Sequence, residues 1–212
     1  MTMSDSEFLE LARLNTGCET GAQHLLRAGG VLRYHNEPLV PCQEVGLHTW
    51  RVMTILLSIW PDSSRELMLA VQFHDAGEGL TGDIPAPVKW ADPDLRSSVG
   101  RMDHRYVHEI CGVPVVPLTP TEVGRMKCAD YLELMDYCSN FQSEPAQRIK
   151  KTGFSAVRKF SERLSAEDRK ALAQYVRKMS PTWTGATVGS ADKEFATSIH
   201  EYIMELKRDA TE

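Results

Sequence analysis

Between Gln43 and Trp60 the apolar residues Leu47, Val52, Ile55, Leu56 and Ile59 recur at helical spacing, until Pro61 stops the run. The same period governs most of the chain, while the alternating Val, Ile and Thr pattern of strands is hardly seen. The spacing predicts helices over 4–14, 19–28, 43–60, 64–76, 93–111, 121–138, 145–163, 165–179 and 190–208. Gly29-Gly30 ends the second, and Thr119-Pro120-Thr121-Glu122 opens the sixth with an N-cap, a first-position proline and a capping glutamate. Ser165 and Ser190 are candidate caps for the last two helices. Between residues 77 and 87, Gly77, Gly79, Gly82, Pro85 and Pro87 predict a stretch that is not regular helix, and such loops often carry function. A chain of 212 residues without an internal repeat fits one domain spanning 1–212, so the expected fold is all-α in a single helical bundle.

Composition narrows the classes of partner. A net charge of -5 argues against a nucleic-acid polymer, which normally requires a surplus of Lys and Arg on one face, but leaves room for a small anion in a local basic pocket. Five cysteines without a C-x-x-C pair speak against a disulfide framework and against a cysteine-rich zinc site, and fit a reducing cytoplasm. Asp5, Glu7 and Glu10 stand where a signal peptide would carry basic residues, and the most apolar stretch, Val52 to Trp60, is too short to cross a bilayer.

Four residues then stand out. His74-Asp75 closes an apolar helix, His48 lies inside the apolar helix 43–60, and Asp130 lies inside the apolar helix 121–138. Each has an ordinary reading: a core imidazole satisfied by a hydrogen bond, a histidine at a helix C-terminus, a carboxylate that stays at the surface. A buried carboxylate without a partner costs several kcal/mol, however, and one divalent cation would satisfy all four at once. Two imidazoles and two carboxylates form a mixed N/O set compatible with Zn, Mn, Co, Fe or Mg.

The order His48, His74-Asp75, Asp130 on a helical chain resembles the HD-domain phosphohydrolase superfamily. The segment His74-Asp75-Ala76-Gly77-Glu78-Gly79-Leu80-Thr81-Gly82-Asp83-Ile84-Pro85-Ala86-Pro87-Val88-Lys89 is similar to the signature of bacterial HD-domain 5'-deoxynucleotidases, and Arg33-Tyr34 ahead of His48 resembles that family's Arg-aromatic pair. The resemblance covers about residues 25–140, leaving 141–212 as a helical extension without a motif. It implies a homodimer or larger homo-oligomer, one divalent ion on His48, His74, Asp75 and Asp130, and hydrolysis of a 2'-deoxynucleoside 5'-monophosphate to nucleoside and phosphate. Two departures bear on specificity: the family has Arg-Trp in place of Arg33-Tyr34, and Ser-Glu-His in place of Gly46-Leu47-His48. The resemblance gives that tryptophan the task of packing on the sugar and disfavouring a 2'-hydroxyl.

On this reading Glu78, one turn beyond Asp75, is the general base or general acid. Asp83 resembles the family's second carboxylate, orienting water or a sugar hydroxyl, although an Asx-turn over 81–85 is its structural alternative. Arg33 offers a planar fork and Lys89 a point charge for phosphate oxygens, while Tyr34 would pack on ribose or base. The nearest rival reaction is release of triphosphate from a deoxynucleoside triphosphate, as in related phage dATP triphosphohydrolases; it needs further cations near Lys89, such as Arg96, Arg101 or His104. Alarmone and cyclic-dinucleotide hydrolysis rank lower, since neither an acidic pair just after His-Asp nor a Gly-Tyr-Pro element is present. Beyond enzymes, a catalytically silent nucleotide sensor and a helical scaffold with coincidental motifs are the competing classes.

Overall fold

The computed structural model describes residues 4–185 and 192–209. It is all-helical, as expected, apart from one very short hairpin. Helix α1 (Asp5–Thr16) starts at a Ser4–Glu7 capping box, and α2 (Gly21–Gly29) at a Thr20–Gln23 one. Strands β1 (Leu32–Arg33) and β2 (Gln43–Glu44) pair antiparallel, with Arg33 opposite Gln43. Two residues per strand are too few to print an alternation in the sequence, which is why 43–44 reads as the start of a helix. That helix, α3 (Val45–Ile59), begins two residues later. Helix α4 (Arg65–Phe73) ends one residue before His74.

The Gly- and Pro-punctuated stretch departs from expectation, because it holds two short helices, α5 (Glu78–Thr81) and α6 (Ala86–Ala91). Gly82, at φ +70°, ends α5, and the prolines bracket the start of α6 instead of abolishing it. Helix α7 (Pro93–Arg105), capped by Asp92, runs into a π-turn, Tyr106–Ile110, in which the Cys111 N–H donates to the Tyr106 carbonyl five residues back at 2.9 Å. Helices α8 (Pro120–Ser139), α9 (Glu144–Ser161), α10 (Ala166–Trp183) and α11 (Lys193–Asp209) follow. Thr119 caps α8 in a capping box and Ser165 caps α10, as read from the sequence; the expected cap Ser190 lies outside the described residues. Helix α10 continues past its expected end at 179 through Pro181. The Ser180 hydroxyl donates at 3.0 Å to the Arg177 carbonyl, the acceptor that a residue without an N–H at 181 leaves over.

The chain divides into two compact units. One comprises Met1–Trp50 and Leu69–Val116, the other Arg51–Met68 and Pro117–Glu212, so α3 and α4 contribute to both. In the first, Phe8, Ala12, Ala28, Ala76, Tyr106, Val107, Cys111 and Val113 form a buried core with Leu25, Phe73, Leu80 and Ile110 packed on it. Ala76 and Leu80 flank Glu78, so the turn that carries the glutamate is anchored by apolar contact on both sides. In the second, α8 packs on α9 and α10, and α10 on α11. There Phe154 meets Phe195 and Tyr202 edge-on, at ring separations of 5.3 and 5.5 Å. A part-buried polar network is tied to this core: Arg51 donates to the Glu133 carboxylate at 2.7 Å and to Asp136 at 2.6 Å, and the Trp183 indole N–H reaches Asp136 at 3.3 Å. Among the described residues no helix is long and apolar enough to cross a membrane.

Candidate functional site

His48 occupies the first full turn of α3 and is 0% exposed. Its Nε2 lies 3.3 Å from the Nε2 of His74, the two rings being tilted by 56°. After Phe73 the chain tightens into successive i→i+3 turns (Ala76 to Phe73, Glu78 to Asp75, Gly79 to Ala76), and this change of pitch turns His74 and Asp75 inward together. The Nδ1 of His74 sits 2.8 Å from the Val71 carbonyl. A carbonyl only accepts, so Nδ1 carries the proton and Nε2 keeps its lone pair, as expected of a metal-ligating imidazole oriented by its own backbone. Oδ2 of Asp75 lies 3.5 Å from both Nε2 atoms. Asp130, on α8, is half-buried and accepts from Lys127 Nζ at 3.1 Å. Among the described residues, His48, His74 and Asp130 are a set that could hold a metal ion.

The donors fit a divalent ion. Two nitrogens bound at ordinary zinc–nitrogen lengths with an angle near 90–110° stand about 2.9–3.4 Å apart, and the two Nε2 atoms are separated by 3.3 Å. Two imidazole nitrogens that close, with a carboxylate oxygen at hand, are a donor set that a cation would satisfy.

Glu78 opens α5 one turn beyond Asp75. Burial, first, and then the negative charges of Asp75 and Asp83 push its carboxyl up to about 9, against the opposing pull of Arg33 and Lys89. Its Oε2 is buried and meets no hydrogen-bond partner. A carboxyl raised this far keeps its proton at neutral pH in the metal-free protein.

Asp83, just after the left-handed Gly82, accepts the Tyr34 backbone N–H on Oδ2 at 3.3 Å. Tyr34 itself adopts φ +62°, a left-handed conformation rare outside glycine. The Arg33 guanidinium stands 5.5 Å from the centre of the Tyr34 ring. Arg33, Tyr34, Asp83 and Glu78 thus converge on the loop after His74-Asp75 although 41 residues separate Tyr34 from Asp75. Lys89, on α6, is half-buried and acts electrostatically on Glu78 and on Asp103.

The extra cations weighed for a triphosphate, Arg96, Arg101 and His104, are all exposed. Arg101 donates to Ser97 and Ser98 on its own helix. Arg105 lies over the Phe8 ring at 4.1 Å and pairs with Glu109, and His108 hydrogen-bonds the Val113 carbonyl at 2.7 Å. Two residues not anticipated from the sequence sit against the Glu78 turn: Asp103, whose carboxyl burial pushes upward, and Tyr106.

Comparison with known families falls on this loop. Residues 41–117 match the family model described as 5'-deoxynucleotidase YfbR-like. The HD-domain 5'-deoxynucleotidase resemblance read from the sequence is borne out over that segment. It contains His48, His74, Asp75, Glu78, Asp83 and Lys89, while Arg33, Tyr34 and Asp130 fall outside it. No curated protein matches the chain.

Proposed function

We propose that this protein is a divalent-metal-dependent phosphohydrolase that cleaves a 2'-deoxynucleoside 5'-monophosphate into deoxynucleoside and phosphate. The observation that carries the reading is a half-buried glutamate, its Oε2 shut off from solvent, one turn from an Asp75 carboxylate that lies against two facing imidazoles. His48, His74, Asp75 and Asp130 would hold one ion of the Mn, Co, Zn, Fe or Mg class. When bound, such an ion supplies Lewis acidity, easing loss of a proton from water and offsetting charge on phosphoryl oxygens.

The chain's own residues supply the rest. The oxygen of water bonds to phosphorus as the phosphorus–O5' bond breaks, the departing O5' takes the proton that Glu78 holds, and the proton that water gives up returns Glu78 to its acid form. Arg33 presents two parallel N–H donors to non-bridging oxygens, and Lys89 adds a point charge, both strengthening as negative charge develops. Tyr34 packs on the sugar, with Asp83 setting its backbone and lying within reach of a sugar hydroxyl. The engagement of Arg101 with Ser97 and Ser98 of its own helix supports a substrate with one phosphate over one with three.

The test is a panel of mono-, di- and triphosphates, ribo and deoxy, incubated with Mn or Co and resolved by chromatography. Deoxynucleoside plus orthophosphate from monophosphates is the expected product. Intact triphosphate released from a deoxynucleoside triphosphate would transfer the assignment to the rival reaction, and no hydrolysis by metal-loaded protein would end the enzymatic reading.

A further inference from the structure

The turn that carries Glu78 is bounded by two glycines, and each is pressed by a different side chain. A Cβ placed on Gly77 would lie 2.5–2.7 Å from Cβ, Cγ and Oδ1 of Asp103. One placed on Gly79 would lie 2.9 Å from the Ala28 methyl and 3.0 Å from the Tyr106 hydroxyl. Real Cβ atoms essentially never come under 3.0 Å, so a larger residue would have to displace Asp103 at position 77, or Ala28 and the Tyr106 hydroxyl at position 79. Asp103 is in the last turn of α7 and Tyr106 begins the π-turn that continues it, three residues on, so one edge of one helical run touches both sides of Glu78. The Thr81 hydroxyl, at the other end of α5, stands 3.5 Å from Asp103 Oδ1.

Tyr106 is itself held. It is 0% exposed, and its hydroxyl lies 3.0 Å from Nδ1 of His24, which is 2% exposed, with the rings edge-on at 5.3 Å and 86°. The reaction described above uses neither residue. A buried tyrosine–histidine bond placed under a glycine is costly unless satisfied and rigid once satisfied. An acid that must meet a departing oxygen within about 2.6–3.2 Å requires this kind of backing.

We propose that Asp103 and Tyr106 are positioning residues that clamp the Gly77-Glu78-Gly79 turn, with His24 fixing the Tyr106 hydroxyl. The role rests on the assignment of Glu78 as the acid, and the clamp itself is open to measurement without turnover.

The experiment compares wild type, Tyr106→Phe, Asp103→Ala and Asp103→Asn as full-length protein. Amide hydrogen exchange is read at Leu80 and Gly82, whose N–H groups donate to the Gly77 and Glu78 carbonyls at 3.0 and 2.8 Å. Steady-state kcat and KM are read with a deoxynucleoside monophosphate and Mn. Tyr106→Phe and Asp103→Ala are expected to speed exchange at these two amides about tenfold or more, leaving α9 and α10 unchanged, and to lower kcat about tenfold with KM within twofold. Asp103→Asn, which keeps the contact with Gly77, should restore both. Exchange that is unchanged, or that rises equally in α9 and α10, overturns the clamp. So does an Asp103→Asn protein as loose as Asp103→Ala. A wild type that hydrolyses no phosphate ester while its variants loosen the turn would remove the proposed reaction and leave the clamp in place.

Discussion

Glu78→Gln tests the acid assignment most directly, because the same burial that equips the side chain for catalysis must weaken the fold. An ordinary glutamate releases its proton near 4.5, whereas Glu78 holds its proton to about 9. In the folded state the carboxyl is therefore neutral at pH 7, and in the unfolded chain it is ionised. The unfolded state binds fewer protons, so stability falls as pH rises above 4.5, and it goes on falling until about 9. At pH 7 that penalty is on the order of 3 kcal/mol. Glutamine has the same shape and no proton to lose. Glu78→Gln should therefore stabilise the metal-free protein at pH 7–8 by on the order of 1–3 kcal/mol, a gain that vanishes below pH 4.5. Turnover should fall about a hundredfold or more, since the leaving oxygen loses its proton donor. In the wild type kcat should decline as pH rises through the glutamate's own titration, at or below about 9 once a cation offsets Asp75, and the variant should lack that limb. Thermal denaturation in chelator from pH 4 to 9 and pH–rate profiles with Mn measure both effects. A variant that is inactive yet no more stable at pH 8 would show that Glu78 is not a buried neutral acid, and a fully active variant would show that it is not the donor.

Other outcomes follow from the same geometry. His48→Ala and His74→Ala should each lower bound metal well below one equivalent per chain, by elemental analysis after dialysis against Mn, while far-ultraviolet circular dichroism stays helical. Arg33→Ala should raise KM and lower kcat together, about tenfold each in a steady-state assay, because a guanidinium on phosphoryl oxygens serves both ground and transition states. Arg51→Ala leaves the fully buried Glu133 carboxylate without its 2.7 Å partner and should cost about 3–5 kcal/mol in urea denaturation, without changing the pH profile of turnover. Tyr34→Trp should sharpen the preference for deoxyribose over ribose in matched substrates. A wild type that wholly rejects ribonucleotides would withdraw Tyr34 as the wall.

How far the sequence could be read depended on the range over which each signal acts. The long helices were legible because an apolar stripe repeats over four or more turns, and the caps Thr119 and Ser165 act on amides within three residues. His48 was legible for a related reason: an imidazole inside an apolar helix is a local anomaly, and so is Asp130. The hairpin, α5 and α6 were not, since elements of two to six residues end before a period can show. The π-turn at Tyr106 hides as well, because one extra residue in a turn leaves composition unchanged. Arg51 with Glu133 spans 82 residues, and so does His24 with Tyr106; no local pattern links such partners. One signal of the second kind was nevertheless present. Two glycines on either side of an acid, in a segment that must still form a helical turn, cost conformational entropy for which the turn itself offers no return. Such glycines are retained where something approaches too closely for a Cβ, and here Asp103 and Tyr106 make that approach. The glycines at 77 and 79 thus reported, in the sequence, a tertiary contact whose other half only the fold could supply.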